Sequence, residues 1–130
     1  MLKDSHTFNS FTTNNLETSK KFYAETLGLH VAENEMGILE IKAAGSNSFI
    51  IYPKGDDHLP ANFTVLNFEV KNIEKVVDHL INKGVQFEQY PEPMKTDKKG
   101  ICWHSGDNTG PNIAWFKDPS GNILSLIEEL

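Results

Sequence analysis

Asn15-Leu16-Glu17 and Asn72-Ile73-Glu74, 57 residues apart, each open a helical pattern, and Leu27-Gly28-Leu29 and Lys83-Gly84-Val85, 56 apart, each close one. The second pattern is the cleaner. Ile73, Val76, Val77, Leu80 and Ile81 fall at i, i+3, i+4, i+7 and i+8, a single apolar stripe at helical period. Asn72 has the chemistry of an N-cap, and Gly84 can take the positive φ that ends a helix. The first pattern starts near Asn14 or Asn15, where Asn14 and Glu17 have capping-box spacing. Leu16, Phe22, Tyr23 and Leu27 supply its inner face, and Gly28 ends it.

Outward from these helices the chain reads as strands. Segments 8–13, 37–44, 48–52, 63–70, 85–90, 101–104, 112–117 and 122–127 alternate apolar and polar residues or are rich in β-formers. Asp118-Pro119-Ser120-Gly121 is turn chemistry: Pro119 presets φ, Gly121 accepts a left-handed conformation and Asp118 can bond to nearby backbone N–H groups. It predicts a tight hairpin. The two offsets, 57 and 56, fit one internal duplication with a single indel, although caps and glycine stops recur in all helices. Together they predict an α+β chain of order β-α-β-β-β twice over. That is one domain of two modules, about 6–53 and 62–130, joined by a polar, Pro-bounded linker at 54–61.

Composition limits the function. The chain has 130 residues, a formal net charge of −6 and 12 cationic residues, every one of them Lys. Phosphate neutralisation needs clustered cations, so nucleic acid is a poor partner. Without Arg there is no planar guanidinium fork for a carboxylate or phosphate. The single cysteine, Cys102, excludes an internal disulfide, and no apolar run approaches a membrane span. The N-terminal segment lacks a signal-peptide core. These features predict a soluble cytoplasmic protein with no membrane partner.

Two motifs carry a family resemblance. The stretch from Asn15 through Phe22-Tyr23 to Leu27-Gly28-Leu29 resembles the D-L-x-x-S-x-x-F-Y…L-G-L opening of the vicinal oxygen chelate superfamily, also called the glyoxalase/bleomycin resistance/dioxygenase superfamily. Phe116-Lys117-Asp118-Pro119-Ser120-Gly121-Asn122-Ile123-Leu124 resembles its closing F-x-D-P-x-G-N-x-L. The resemblance spans nearly the whole chain. It implies two βαβββ modules whose curved mixed sheets enclose a cup with the active site inside, and it implies a homodimer.

Metal-dependent relatives hold a divalent cation with His or Gln, a second His and a Glu, types whose imidazole and carboxylate groups suit such ions. Counted from the anchor motifs, those positions are Phe8, Val65 and Ser125 here, and none of the three can replace a metal-binding His or Glu. The expectation is therefore no metal and no cofactor. Phe8, Phe49, Val65 and Ser125 would line an apolar pocket, and the resemblance is to the branch that binds a drug without turnover.

Other residues could join the pocket. Trp103 and Trp115, on segments expected to pair across the 107–111 turn, could grip an apolar ligand or could fill a core or interface. His104, set among pocket-type residues, is the candidate polar anchor or general acid/base, though a His near a turn is commonly solvated or capped. His30, His58 and His79 read as surface, and Cys102 as a small buried hydrophobe. Asn67 shares a face with Val65 and could bond a ligand; Tyr52 could close the pocket or the core. Segment 95–99 reads as a solvated loop or a flap. The first function implied is metal-independent binding of a small apolar or aromatic molecule. The alternative is a small-molecule enzyme of lyase, isomerase or dioxygenase type with non-standard residues, and a third is a structural module with a filled pocket.

Overall fold

Helix α2 (Ile73–Asn82) forms as its sequence dictates. The Asn72 side chain accepts from Lys75 N at 3.1 Å, and Gly84, at φ +94°, turns the chain away. Ile73, Val77 and Leu80 are buried, but Ile81 is 40% exposed, so the apolar stripe is narrower than its spacing predicts.

Two compact units result, Met1–Leu59 and Pro60–Leu130. The computed structural model describes residues 1–45, 47–104 and 110–129. The first unit runs β1 (Ser10–Thr13), α1 (Leu16–Lys21), β2 (His30–Glu33), β3 (Leu39–Lys42) and β4 (Phe49–Pro53). The second runs β5 (Thr64–Val70), α2, β6 (Ile101–Cys102), β7 (Ile113–Lys117) and β8 (Ile123–Glu128). The sheet orders are β1-β4-β3-β2 and β5-β8-β7-β6. In each, the first and last strands pair in parallel and the other pairs are antiparallel. The strand order is thus duplicated, as the helix offsets predict.

Within each unit the helix covers one face of its sheet. In the first, Phe11, Leu39, Ile41, Phe49 and Ile51 are buried, and Phe11 stacks on Phe49 with ring centroids 5.7 Å apart. Tyr23 meets both rings at 6.3 Å. In the second, α2 packs on β7 and β8, whose Ala114, Phe116, Leu124 and Leu126 are buried.

Several local expectations are corrected. Asn15, not Asn14, caps α1: its side chain accepts from Thr18 N at 3.0 Å, three residues on, so Asn14–Glu17 is not the capping pair. α1 is α-helical only to Lys21, and Phe22–Thr26 continues as a π-helical turn with Leu27 N donating to Phe22 O at 3.0 Å. The wider turn accompanies full burial of Tyr23. Ser19 is also fully buried, its hydroxyl 2.7 Å from Thr13 Oγ1. β2 supplies a strand that the order β-α-β-β-β requires after the first helix, on residues outside the segments expected to be strands, because His30–Glu33 carries no buried residue to set a period-two signal. Conversely, 85–90 is no strand: Phe87 makes one isolated bridge to Phe116. β1 begins at Ser10, leaving Phe8 outside it and 62% exposed. His58 is buried rather than on the surface, its Nδ1 2.6 Å from Thr12 Oγ1.

The β7–β8 hairpin follows its turn chemistry closely. Asp118 is buried, and its carboxylate accepts from Ser120 N, Asn122 N and Asn122 Nδ2, each at 2.9 Å. Gly121, at φ +83°, donates to Asp118 O at 3.0 Å. A buried carboxylate is stable only when so saturated.

Candidate functional site

Strand alternation places the remaining side chains of the second sheet on the face away from α2. Register aligns Asn67, Ser125 and Trp115 in one row across β5, β8 and β7. The next row holds Glu69, Ile127, Ile113 and Cys102. Ser125 is fully buried, and its hydroxyl donates a short hydrogen bond to Asn67 Oδ1. Trp115 is half-buried and stands edge-on to Tyr90, centroids 5.3 Å apart at 72°. Burial, then the negative charge of Glu88, push the Tyr90 phenol above its ordinary value, against the opposing charge of Lys117. Ser125 pairs in register with Asn67, and Val65 lies at the register shift between Thr64 and Leu66.

Beyond the edge strand β6 lies a cleft of about 320 Å³ between loop 92–97 and the strand end 101–104. Cys102 and His104 both line it, two residues apart, with Cys102 Sγ 3.0 Å from His104 Nε2. Trp103, between them, is 45% exposed and donates from its indole Nε1 to Asp97 Oδ2 at 2.7 Å. Asp97 Oδ1 also accepts from Lys99 N and Ile101 N, each at 2.9 Å. Burial pushes the Asp97 carboxyl up, but the bonds from Trp103, Ile101, Lys99 and Gly100 outweigh it and hold the group below the usual carboxylate range.

Segment 95–99 is a loop with Lys95 and Lys98 exposed to solvent, tied down at Thr96 and Lys99. Thr96 is buried, taking Tyr90 N at 2.9 Å and giving to Gln89 Oε1 at 3.1 Å. Lys99 Nζ reaches Asp78 of α2 at 2.8 Å and Glu74 at 3.4 Å. The hydrogen bond to Asp78, and the charges of Asp78 and Glu74, raise the Lys99 ammonium above its ordinary value despite some desolvation.

His104 is held from behind. Its backbone N donates to Asn112 Oδ1 at 2.7 Å, Asn112 Nδ2 donates to Glu128 Oε1 at 2.8 Å, and Glu128 Oε2 accepts from Ile73 N, at the start of α2, at 2.8 Å. The Asn112 side chain takes the bond that would extend the ladder at His104, which accounts for a strand of only two residues where four were expected. A carboxylate at a helix N-terminus is favoured there by both hydrogen bonding and the helix dipole. Asp97, Asn112 and Glu128 were not singled out as site residues from sequence; only their convergence in space marks them.

The sequence-derived candidates therefore separate. Asn67, Ser125 and Trp115 share a row; Trp103 and His104 share the cleft. Trp103 and Trp115 do not face each other, since Ile101 pairs with Ala114 and Cys102 with Ile113. Positions 107–109 of the expected turn lie outside the described residues. In the first unit, Phe49 belongs to the helix-side core with Phe11 and Tyr23 rather than to the other face, Tyr52 is half-buried on β4, and Phe8 stands outside the sheet.

The donor set does not fit a divalent metal. Phe8 and Val65 offer no ligand atom, and the Ser125 hydroxyl is committed to Asn67. Among the described residues, no three His, Cys, Asp or Glu side chains come together as a metal site would require. Nor is any helix among them long and apolar enough to cross a membrane.

Both the duplicated topology and the two motifs define a class, and the family model confirms it. Residues 5–126 match the Glyoxalase/Bleomycin resistance protein/Dioxygenase superfamily, and the chain belongs to that family. Solved structures with the same fold include the glyoxalase family protein from Enterococcus faecalis, at 26% identity and TM-score 0.65, covering 98% of this chain and 100% of that one. The antibiotic binding protein TnmS3 from Streptomyces sp. CB03234 matches at 19% identity and TM-score 0.68, covering 98% of each chain. Virulence protein STM3117 from Salmonella typhimurium matches at 18% identity and TM-score 0.67, covering the whole of both. A search of curated sequences returns no match.

Proposed function

We propose that this protein binds a small, largely apolar or aromatic molecule without a metal, on the face of the second sheet that carries Asn67, Ser125 and Trp115. The observation behind this is the Asn67–Ser125 pair. Ser125, which counting from the closing motif assigns to a metal-ligand position of relatives, carries a hydroxyl whose hydrogen bond is spent on a neighbouring amide. Beside it, Trp115, Ile113, Ile123 and Ile127 are half-buried, an apolar surround with one aromatic plane. Similarity to an antibiotic-binding protein supports a ligand of that kind. We further propose that the chain works as a homodimer, which sedimentation equilibrium tests.

Trp fluorescence titration with bleomycin and a panel of planar polycyclic antibiotics tests the binding, before and after dialysis against EDTA. Saturable quenching that survives EDTA and weakens at least tenfold in Trp115→Leu is expected. Binding that vanishes with EDTA and returns with added divalent metal overturns the proposal, as does no binding across the panel.

A further inference from the structure

A second cleft, apart from the Asn67–Ser125 row, brings a thiol and an imidazole together. A buried thiol in apolar surroundings is ordinarily inert, whereas a thiol hydrogen-bonded to an imidazole has a base at hand and becomes a nucleophile. Cys102 is 2% exposed, yet it is among the residues that line the cleft, and its sulfur stands 3.0 Å from His104 Nε2. The geometry is built, not incidental. The Asn112–Glu128 chain fixes the His104 backbone just beyond the end of β6, where the imidazole meets Cys102. At about 320 Å³ the cleft is at the small end of ligand pockets, and Pro93, Ile101 and Trp103 give it apolar wall beside the charged Lys95 and Asp97.

We propose that Cys102 and His104 form a nucleophile–base pair that adds to a small α,β-unsaturated carbonyl compound entering this cleft. The Cys102 proton passes to His104 Nε2, and the sulfur forms a C–S bond to the β-carbon. The C=C π pair shifts to give an enolate, and the α-carbon then takes the proton back from His104. Nothing leaves, no oxidant is consumed and the product is a thioether. The imidazole serves twice, as base and then as acid, which is the economy this addition needs. The proposal stands apart from ligand binding at Ser125; failure of either leaves the other intact.

Cys102 is the only cysteine, so any thiol adduct reports on it alone. The test is the second-order rate of N-ethylmaleimide addition to the folded protein at pH 7, read by intact mass, with N-acetylcysteine as the reference thiol. Wild type reacting on the order of tenfold or more faster than N-acetylcysteine is expected. His104→Gln, which keeps a polar side chain but cannot cycle a proton, should lose most of that advantage. His104→Ala should regain rate on addition of free imidazole, a rescue that a purely structural role would not give. Circular dichroism confirms that each variant is folded. A wild-type rate at or below that of N-acetylcysteine overturns the proposal, and so does a His104→Gln protein that reacts as fast as wild type.

Discussion

The two units share one strand order and differ in what lies between the helix and the middle of the sheet. In the first, Gly28 leads almost at once into β2, and β2 and β3 form a plain hairpin. In the second, residues 83–100 separate α2 from β6, and this longer excursion makes one wall of the cleft. The helix-side cores are alternative solutions to one packing problem: the Phe11, Tyr23 and Phe49 cluster on a π-distorted helix in one unit, and aliphatic side chains of a regular helix together with the Phe87–Phe116 pair in the other. Duplication has supplied two equivalent frames, and the irregular segment is where chemistry collects, because loops can add residues without disturbing the ladder.

One turn device appears at two different places in the strand order, in different settings. At the β2–β3 turn, Asn34 Oδ1 accepts from Met36 N at 2.9 Å and Ile38 N at 3.1 Å, at the surface. At the β7–β8 turn, Asp118 Oδ1 accepts from the equivalent Ser120 N and Asn122 N, but buried and charged. Asp118→Ala, which orphans these donors inside the protein, should cost about 3 kcal/mol, whereas Asn34→Ala, whose donors can turn to water, should cost well under about 1 kcal/mol. Urea unfolding of the pair measures this; equal losses would mean that setting does not matter.

Next in size is the helix start. Asn caps both helices, but α2 has Glu128 in addition. Glu128→Ala should destabilise by about 2 kcal/mol, since it frees Ile73 N and loosens Asn112. Glu128→Gln should recover part of this, as it keeps an acceptor but loses the charge. Thermal melts of both variants make the check.

Smaller still is an acid transition confined to the second unit's loop. A carboxyl held below its ordinary value contributes stability above the unfolded value, about 3.9, and that contribution disappears as pH falls through the lower folded value. Asp97 is such a group. In a Trp115→Phe background, Trp103 emission should hold steady down to about pH 4 and change only below it; Asp97→Asn should remove the transition. The smallest effect is expected from Lys99→Ala. Its bridges to Asp78 and Glu74 are exposed, so the urea midpoint should scarcely move, and any difference should fade in high salt.

Much of the frame was legible in the residues. Asn72 and Gly84 mark α2, and the 118–121 turn chemistry marks the last hairpin, because these are local demands on φ, ψ and backbone hydrogen bonds that single residues satisfy. β2 was not legible: a strand with nothing buried has no reason to alternate. Ile81 misled for the opposite reason, since an apolar residue at helical spacing looks the same whether or not anything covers it.

The candidate site was only partly legible. Counting from the motifs set Ser125 and Val65 in one pocket but did not say which residue of β5 lies opposite Ser125, because strand register is not written in spacing along the chain. Period two pointed to Asn67 on the same face as Val65, without saying which of them faces Ser125.

The sequence by itself determined the duplicated βαβββ order and the family. These depend on residue type and near-neighbour spacing. Only the tertiary structure decided that Asn67 meets Ser125, that Asp97 holds Trp103, and that Glu128 links α2 to Asn112. These contacts join residues from different elements, and register, bulges and loop paths set such distances. Cys102 and His104 lie between the two cases. Their spacing was visible, but it took the end of β6 and the Asn112 bond to the His104 backbone to set a thiol against an imidazole.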